Sequence, residues 1–180
     1  MDDRGGQALT EGGMPLLTCG RFGDMETLVQ SYAEGYNKLV QAIEGVTDEE
    51  LLFKPAPEKW SIKEVVIHVC DAEMVGVDRM KRTLSEPNPL LFKFDPDAWA
   101  SRMDYQSLDM QLYLTLFQAL RASMVSVLTA LKPEDWERTA VHNVTGKHTL
   151  EDIVRMFDRH VDTHIRQIER NKQAYAAVVR

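Results

Sequence analysis

The sequence predicts an all-α protein built as a four-helix bundle, and three observations support this fold class. Four segments carry apolar residues at helical spacing, so each would present one continuous apolar face. Helix-capping residues precede two of the four segments. No segment has a clear strand pattern, although residues 139–144 are compatible with an extended conformation. Amphipathic helices of this length bury their apolar faces against one another, as they do in a bundle.

The first predicted helix runs from about Asp24 to Ile43. The residues before it, 1–22, are polar and rich in glycine, and they lack the basic and apolar stretches of a signal peptide. We interpret them as a flexible N-terminal tail. The remaining residues, 23–180, then form one bundle domain, which is large enough to bury a hydrophobic core.

The second predicted helix begins after Ser61 and continues to about Leu84. Ser61 and Glu64 have the spacing of a capping box, in which each side chain accepts a hydrogen bond from the backbone N–H of the other residue. Pro87 lies just beyond the predicted end, and proline prevents a helix from continuing.

The third predicted helix runs from about Asp104 to Leu131, and the fourth runs from Thr149 to near the C-terminus. Thr149 is a favourable N-cap residue for the fourth helix. Two short helical turns are predicted between the long helices. One follows Thr47 and the other begins at Pro133, because proline is favoured at the first position of a helix.

The charge balance argues against a nucleic-acid partner. The chain has 28 acidic and 21 basic residues and a net charge of −7, whereas phosphate binding requires clustered Lys and Arg.

No run of about 18 apolar residues is present, so no membrane association is expected. Cys19 and Cys70 form no CxxC motif, which favours a reduced, cytoplasmic protein, and Cys70 is expected to be a buried, inert thiol.

Histidines supply the main functional signal. His160 and His164 are four residues apart on the apolar face of the fourth helix, so both imidazoles lie on one side, about 6 Å apart along the axis. His68 lies on the apolar face of the second helix. Three such histidines can converge inside a bundle and hold one divalent metal, with a coordination position left open for water or substrate. The alternative is that they are ordinary core or surface histidines.

Other residues near the predicted site have more than one interpretation. Asp71, three residues after His68, would orient a ligand imidazole, act as a general base or pair with a basic residue. His142 and His148 are interpreted as surface residues, although His148 lies close enough to the fourth helix to approach the site. The aromatic residues of segment 85–103 would either cover the metal site or close the end of the bundle.

Motifs of several other site classes are missing from the sequence. It has no Glu-x-x-His and no HExxH, which argues against the ferritin-like di-iron site and the zincin protease site. It also has no GxSxG, P-loop or GxGxxG motif, so serine-hydrolase and nucleotide-binding functions have no support.

Three segments, residues 60–73, 146–150 and 158–168, together resemble segments of one protein family, the DinB/YfiT-like superfamily. Residues 60–73, WSIKEVVIHVCDAE, resemble the segment WSxxEVxxHxxDxE of that family. Residues 146–150, GKHTL, resemble its GxxTL entry to the last helix, and residues 158–168, DRHVDTHIRQI, resemble its closing HxxxHxxQI. The order and spacing of the segments extend the resemblance from about residue 25 to residue 172.

This resemblance implies up-down-down-up connectivity of the four helices and a metal site in which His68, His160 and His164 match the ligand triad. It implies a divalent ion, with zinc or nickel favoured and manganese or iron as alternatives. Members are often dimers, so a homodimer is also expected. Known activities in the family are largely metal-dependent transfers or isomerisations that use thiols such as bacillithiol, mycothiol or glutathione, and many members are described only as metal-dependent hydrolases.

The expected function is therefore that of a metal-dependent enzyme acting on a small-molecule substrate, such as a low-molecular-weight thiol. The three-histidine site would activate a thiolate or a water molecule, as in a thiol S-transferase or a hydrolase. Asp71 is the candidate general base or orienting residue. The alternative is a non-catalytic bundle that binds a metal or a small ligand in a stress response.

Overall fold

The computed structural model describes the backbone of residues 17–179 and the side chains of residues 23–179. Seven helices lie in this part of the chain: α1 (Leu17–Ala42), α2 (Asp48–Leu52), α3 (Ile62–Ser85), α4 (Pro96–Arg102), α5 (Met110–Thr129), α6 (Pro133–Trp136) and α7 (Leu150–Val178). Three short strands accompany them: β1 (Leu90–Leu91), β2 (Thr139–His142) and β3 (Gly146–Thr149). Residues 1–16 of the predicted tail lie outside the described residues. Residues 17–22 are already helical, so α1 begins earlier than the sequence predicts.

The four long helices α1, α3, α5 and α7 form the bundle, and contacts along their length give their directions. Ser31 hydrogen-bonds to Asp158 at 2.9 Å, and Lys38 pairs with Asp162 at 3.2 Å. Residues further along α1 therefore meet residues further along α7, so these two helices are parallel.

The order of the contacting residues along α3 and α5 shows that these two helices are also parallel. Cys70 lies beside the backbone of Phe117, and Glu73 forms an ion pair with Arg121. Parallel neighbours cannot be joined by a tight turn, so a long connection has to return the chain to the start of α5. That connection carries β1 and α4.

Helices α3 and α7 are antiparallel, which completes the topology. Asn171, near the end of α7, donates a hydrogen bond to the carbonyl of Trp60, just before α3 begins. Further along α3, His68 meets His160, which comes earlier in α7. The connectivity is therefore up-down-down-up, as the sequence resemblance implies.

A small three-stranded sheet lies beside the bundle, in the strand order β1-β2-β3. β1 is parallel to β2, and β2 and β3 form an antiparallel hairpin that leads directly into α7. Gly146 in this hairpin has a φ of +81°, a backbone conformation that favours glycine. The extended conformation expected for residues 139–144 is present over β2, whereas β1 and β3 were not predicted.

Local capping residues set the boundaries of the helices. The Ser61 and Glu64 capping box is present at α3, and Thr149 accepts a hydrogen bond from the backbone N–H of Asp152 at the start of α7. The predicted start of the third helix at Asp104 is wrong. Asp104 has a φ of +47°, which interrupts a helix, and α5 begins after the N-cap residue Asp109.

A buried ion pair lies in the middle of the bundle. Arg121 is almost fully buried, and its Nε and Nη2 atoms each lie 3.1 Å from Glu73 Oε2. The hydroxyl of Tyr32 donates to Glu73, and Arg121 also donates to the backbone carbonyls of Tyr32 and Phe157. Gly35 makes room for this arrangement, because a Cβ atom there would clash with Arg121 Nη1. The ion pair therefore links all four long helices.

Helix α5 is the most apolar of the long helices. By length and composition alone, this helix is long and apolar enough to cross a membrane. In the structure, 28% of its most apolar 18-residue stretch is buried. In this fold, one side of α5 packs against α3 and α1, while Leu112, Leu116 and Val127 are exposed on its outer side. The expected absence of membrane association and the expected homodimer both stay predictions.

Candidate metal centre

Three histidine side chains meet between α3 and α7. The Nε2 atom of His160 lies 3.0 Å from that of His164 and 3.3 Å from that of His68. The possible ligand atoms of all three residues lie within 4.8 Å of one another. His68 is buried, and the other two imidazoles are partly buried. The fold thus brings together the three residues that the sequence predicts as metal ligands.

The spacing of these nitrogen atoms fits a bound metal ion. Histidine nitrogens lie about 2.0–2.1 Å from zinc in tetrahedral sites, which places two of them roughly 3.3 Å apart. Gln167 Oε1 lies 2.9 Å from His164 Nδ1 and can only accept a hydrogen bond, so the proton of that imidazole is on Nδ1. The Nε2 atom of His164 therefore directs a free lone pair at its neighbours, and a cation between the three rings would satisfy it.

The electrostatic environment keeps the three imidazoles neutral. Burial, followed by the neighbouring histidines, lowers the pKa of His68 to about 2. Burial likewise lowers the pKa of His160 to about 3 and lowers that of His164. Metal ligation requires unprotonated nitrogen, so these side chains do not have to lose protons at neutral pH before they bind an ion.

Residues around the triad fix the orientation of two of its rings. Gln167 orients His164 through the hydrogen bond to Nδ1. The indole of Trp60 packs against the His68 ring, with 4.7 Å between ring centroids. Gln167 belongs to the HxxxHxxQI segment, but its role in orienting His164 was not predicted and follows only from the hydrogen bond in the structure. The backbone of α7 places it three residues after His164, on the same side of the helix.

Asp71 lies close to the site in sequence, but its carboxylate points to a different partner. It is buried and accepts a hydrogen bond from the hydroxyl of Tyr105. Burial raises the pKa of Asp71, and the bond from Tyr105 offsets part of that rise. His68 Nδ1 is buried and has no hydrogen-bond partner among the described residues, so Asp71 does not orient this ring. A role for Asp71 as a general base stays a prediction.

A pocket of about 440 Å³ opens at the triad, and His68 and His160 form part of its wall. The apolar part of the pocket wall includes Phe94, Ile153 and Phe157. The Phe94 ring stacks on His68 with 6.3 Å between centroids. Of the two interpretations of segment 85–103, Phe94 therefore supports the one in which an aromatic residue covers the metal site.

The two histidines that the sequence analysis interprets as surface residues also line this pocket. His142 and His148 are only partly exposed, and both lie on the pocket wall with Arg79 of α3. The β2–β3 hairpin carries both histidines to this position. Both side chains stay partly exposed, as that interpretation expects, and His148 approaches the site, which was the alternative for this residue. The position of His142 on the pocket wall was not predicted.

Cys70 is buried, as expected, and its thiol is not the reactive group of the site. Burial raises the pKa of this thiol to about 12, and the carboxylates of Asp71 and Glu73 add to the shift. In a Cys19→Ser background at pH 8, we expect iodoacetamide to alkylate Cys70 about a thousandfold more slowly in the folded protein than in urea, because only the thiolate reacts. Intact-mass spectrometry over time measures both rates, and equal rates would contradict the burial of a protonated thiol.

The chain is similar to a known protein family and to several of its members. The chain matches the family model of the DinB superfamily over residues 31–168. It is 28% identical over 149 residues to a "putative metal-dependent hydrolase" of Bacillus cereus, with 81% of this chain and 86% of the relative covered. It is 30% identical over 109 residues to a protein of the same description from Oceanobacillus iheyensis, with 61% of this chain and 63% of that relative covered.

Two solved structures share the fold. YfiT from Bacillus subtilis, described as "a probable metal-dependent hydrolase with an unusual four-helix bundle topology", superposes with a TM-score of 0.78 at 25% identity and covers 95% of both chains. A mycothiol-dependent maleylpyruvate isomerase superposes with a TM-score of 0.63 at 11% identity, with 78% of this chain and 59% of the isomerase covered.

Proposed function

This chain belongs to the DinB superfamily, and from that membership we propose that it is a metal-dependent enzyme of the thiol S-transferase or hydrolase type. His68, His160 and His164 would hold one divalent ion, with zinc or nickel favoured and manganese or iron as alternatives. The convergence of three neutral imidazole nitrogens at the wall of a pocket is the observation that carries the proposal.

A bound ion would supply Lewis acidity, which favours the thiolate form of a thiol or the hydroxide form of water at neutral pH. The protein contributes the surroundings. Three histidines leave a coordination position for the reacting molecule, as in catalytic sites rather than closed structural ones. Phe94 and Phe157 form an apolar wall beside the site, and Gln167 holds His164 in its ligating orientation.

The reacting thiol, if the enzyme is a transferase, would be a small molecule and not Cys70. Cys70 is buried and protonated, and Cys19 lies outside the residues whose side chains are described. The mycothiol-dependent isomerase with the same fold supports a low-molecular-weight thiol as one substrate, and the relatives described as hydrolases support water as the other choice. A cytoplasmic location, where such thiols are kept reduced, is part of the same proposal.

Turnover by metal-depleted and metal-reloaded protein tests the proposal. The chain would be stripped with a chelator, reloaded with zinc or nickel, and assayed with glutathione, bacillithiol or mycothiol and an electrophilic acceptor, and separately with an activated ester. We expect one of the two reactions to appear only after reloading and to be absent in His160→Ala. Stoichiometric metal without turnover in either assay would contradict the enzyme proposal and leave the non-catalytic metal-binding bundle.

A further inference from the structure

The pocket beside the triad carries a second polar group of residues, which we call the basic cluster: Arg79, Lys93, His142 and His148. None of the described residues that line this pocket is an aspartate or a glutamate. The contrast with the whole chain is large, since acidic residues outnumber basic ones by 28 to 21. A pocket in an acidic protein whose ionisable lining residues are all basic or histidine indicates an anionic occupant.

Arg79 carries a buried charge that forms no ion pair among the described residues, although the charge of Asp78 offsets part of the lowering of its pKa by burial. Its side chain is 9% exposed, and Nη2 donates to the backbone carbonyl of Phe92 at 2.6 Å. Its Nε atom is buried and has no hydrogen-bond partner among the described residues. The carboxylate next to it in sequence, Asp78, is engaged with Arg82 at 2.9 Å. Burying an unpaired guanidinium is unfavourable, so the arrangement calls for an anion that the protein itself does not provide.

His142 adds a second unmet requirement for an acceptor. Its Nδ1 atom lies 3.3 Å from the backbone nitrogens of Val144 and Thr145, and its Nε2 atom lies 3.2 Å from Arg79 Nη2. Every one of these neighbours is an N–H donor. A neutral imidazole has one N–H of its own, so in either tautomer that proton faces another donor. The surplus of donors would be relieved by an oxygen atom that accepts from both His142 and Arg79.

We infer that the basic cluster binds an oxyanion group, a carboxylate or a phosphate, of the small molecule whose reacting end lies at the histidine triad. This inference deepens the proposed function, on which it rests for the identity of the reacting end. The basic cluster lines the same pocket as His68 and His160, and its volume of about 440 Å³ is typical of small-molecule sites, so one ligand can contact both groups. Arginine is well suited to the role, because its planar guanidinium donates several hydrogen bonds to an oxyanion.

Binding of simple anions to the full chain tests the inference independently of turnover. The probes are succinate, inorganic phosphate and the neutral analogue succinamide, titrated by calorimetry at constant ionic strength with and without one equivalent of zinc. The informative variant is Arg79→Met. The matched control is Arg82→Met, which removes the same charge from an exposed position one turn further along α3.

We expect succinate or phosphate to bind the wild type and the Arg82→Met protein with affinities within twofold of each other, and Arg79→Met to bind at least tenfold more weakly. The tighter of the two anions then identifies the oxyanion. Because Arg79 holds an unpaired buried charge, we also expect Arg79→Met to melt at the same temperature as the wild type or higher, so weak binding would not reflect unfolding.

Three results would overturn the inference: no binding of either anion, anion binding that Arg79→Met leaves unchanged, and equal binding of succinamide. Failure of the proposed function gives a different pattern, in which Arg79-dependent anion binding persists in a protein that has no turnover. If turnover is found, Arg79→Met should raise KM for an acidic substrate more than it lowers kcat.

Discussion

Replacing His160 with alanine is expected to reduce the bound metal from about one ion per chain to nearly none, because two remaining imidazoles cannot complete the three-ligand set of an open site. His160 is the central member of the triad, since its Nε2 atom lies within 3.3 Å of the corresponding atoms of both partners. Elemental mass spectrometry on protein purified without a polyhistidine tag measures the stoichiometry. Circular dichroism on the same samples confirms that the bundle is folded.

Two further variants make this result specific to the triad. His148→Ala removes a histidine from the same pocket but not from the ligand set, so its metal content should equal that of the wild type. Gln167→Leu removes the hydrogen bond to His164 and is expected to weaken metal affinity by about 10- to 100-fold. A metal content in His160→Ala equal to that of the wild type would contradict the assignment of the site, as would a wild type that takes up neither zinc nor nickel.

Replacing Arg121 with methionine is expected to lower the free energy of unfolding by about 3–5 kcal/mol, because the carboxylate of Glu73 is then left buried without its counter-ion. Both side chains are almost fully buried, and the Tyr32 hydroxyl alone would remain as a donor to Glu73. Urea denaturation followed by circular dichroism measures the change. The metal-free protein should be used, so that metal binding to the folded state does not add to its stability.

A double variant separates the loss of a charge partner from the loss of packing. Glu73→Gln combined with Arg121→Met removes both charges, and it should be clearly more stable than Arg121→Met alone. Arg82→Met, which breaks exposed ion pairs with Asp78 and Glu86, is the matched control and should change stability far less. A loss in Arg121→Met as small as in this control would show that the buried ion pair does not hold the bundle together.

The parts of the fold that depend on residues close together in sequence could be predicted. The capping box at Ser61 and the N-cap at Thr149 fix the starts of α3 and α7, and both act within one helical turn. The pairing of His160 with His164 follows from helix geometry in the same way. Predicting His68 as the third member required the assumption that the apolar faces of the second and fourth predicted helices meet. The structure confirms that assumption.

The remaining features depend on contacts between distant residues. Glu73 and Arg121 are 48 residues apart, and nothing in either local sequence identifies the other as its partner. Arg79 and His142 are 63 residues apart, so the basic cluster forms only when β2 and β3 pair beside α3. β1 and β3 contain two and four residues, too few for an alternating apolar pattern to be recognised, and only β2 lies in a segment that was predicted to be extended.

The parallel arrangement of α3 and α5 has a consequence for how such a protein can diversify. The long connection that it requires contributes Phe94 and its neighbours to one wall of the pocket, and the hairpin before α7 contributes another. The triad itself stands on the rigid helices α3 and α7. Insertions and exchanges in the two connections can therefore change which molecules enter the pocket while the histidine triad stays in place. The bundle provides a constant set of histidines and the connections provide variable walls, an architecture suited to relatives that keep the triad and differ in the shape of the pocket.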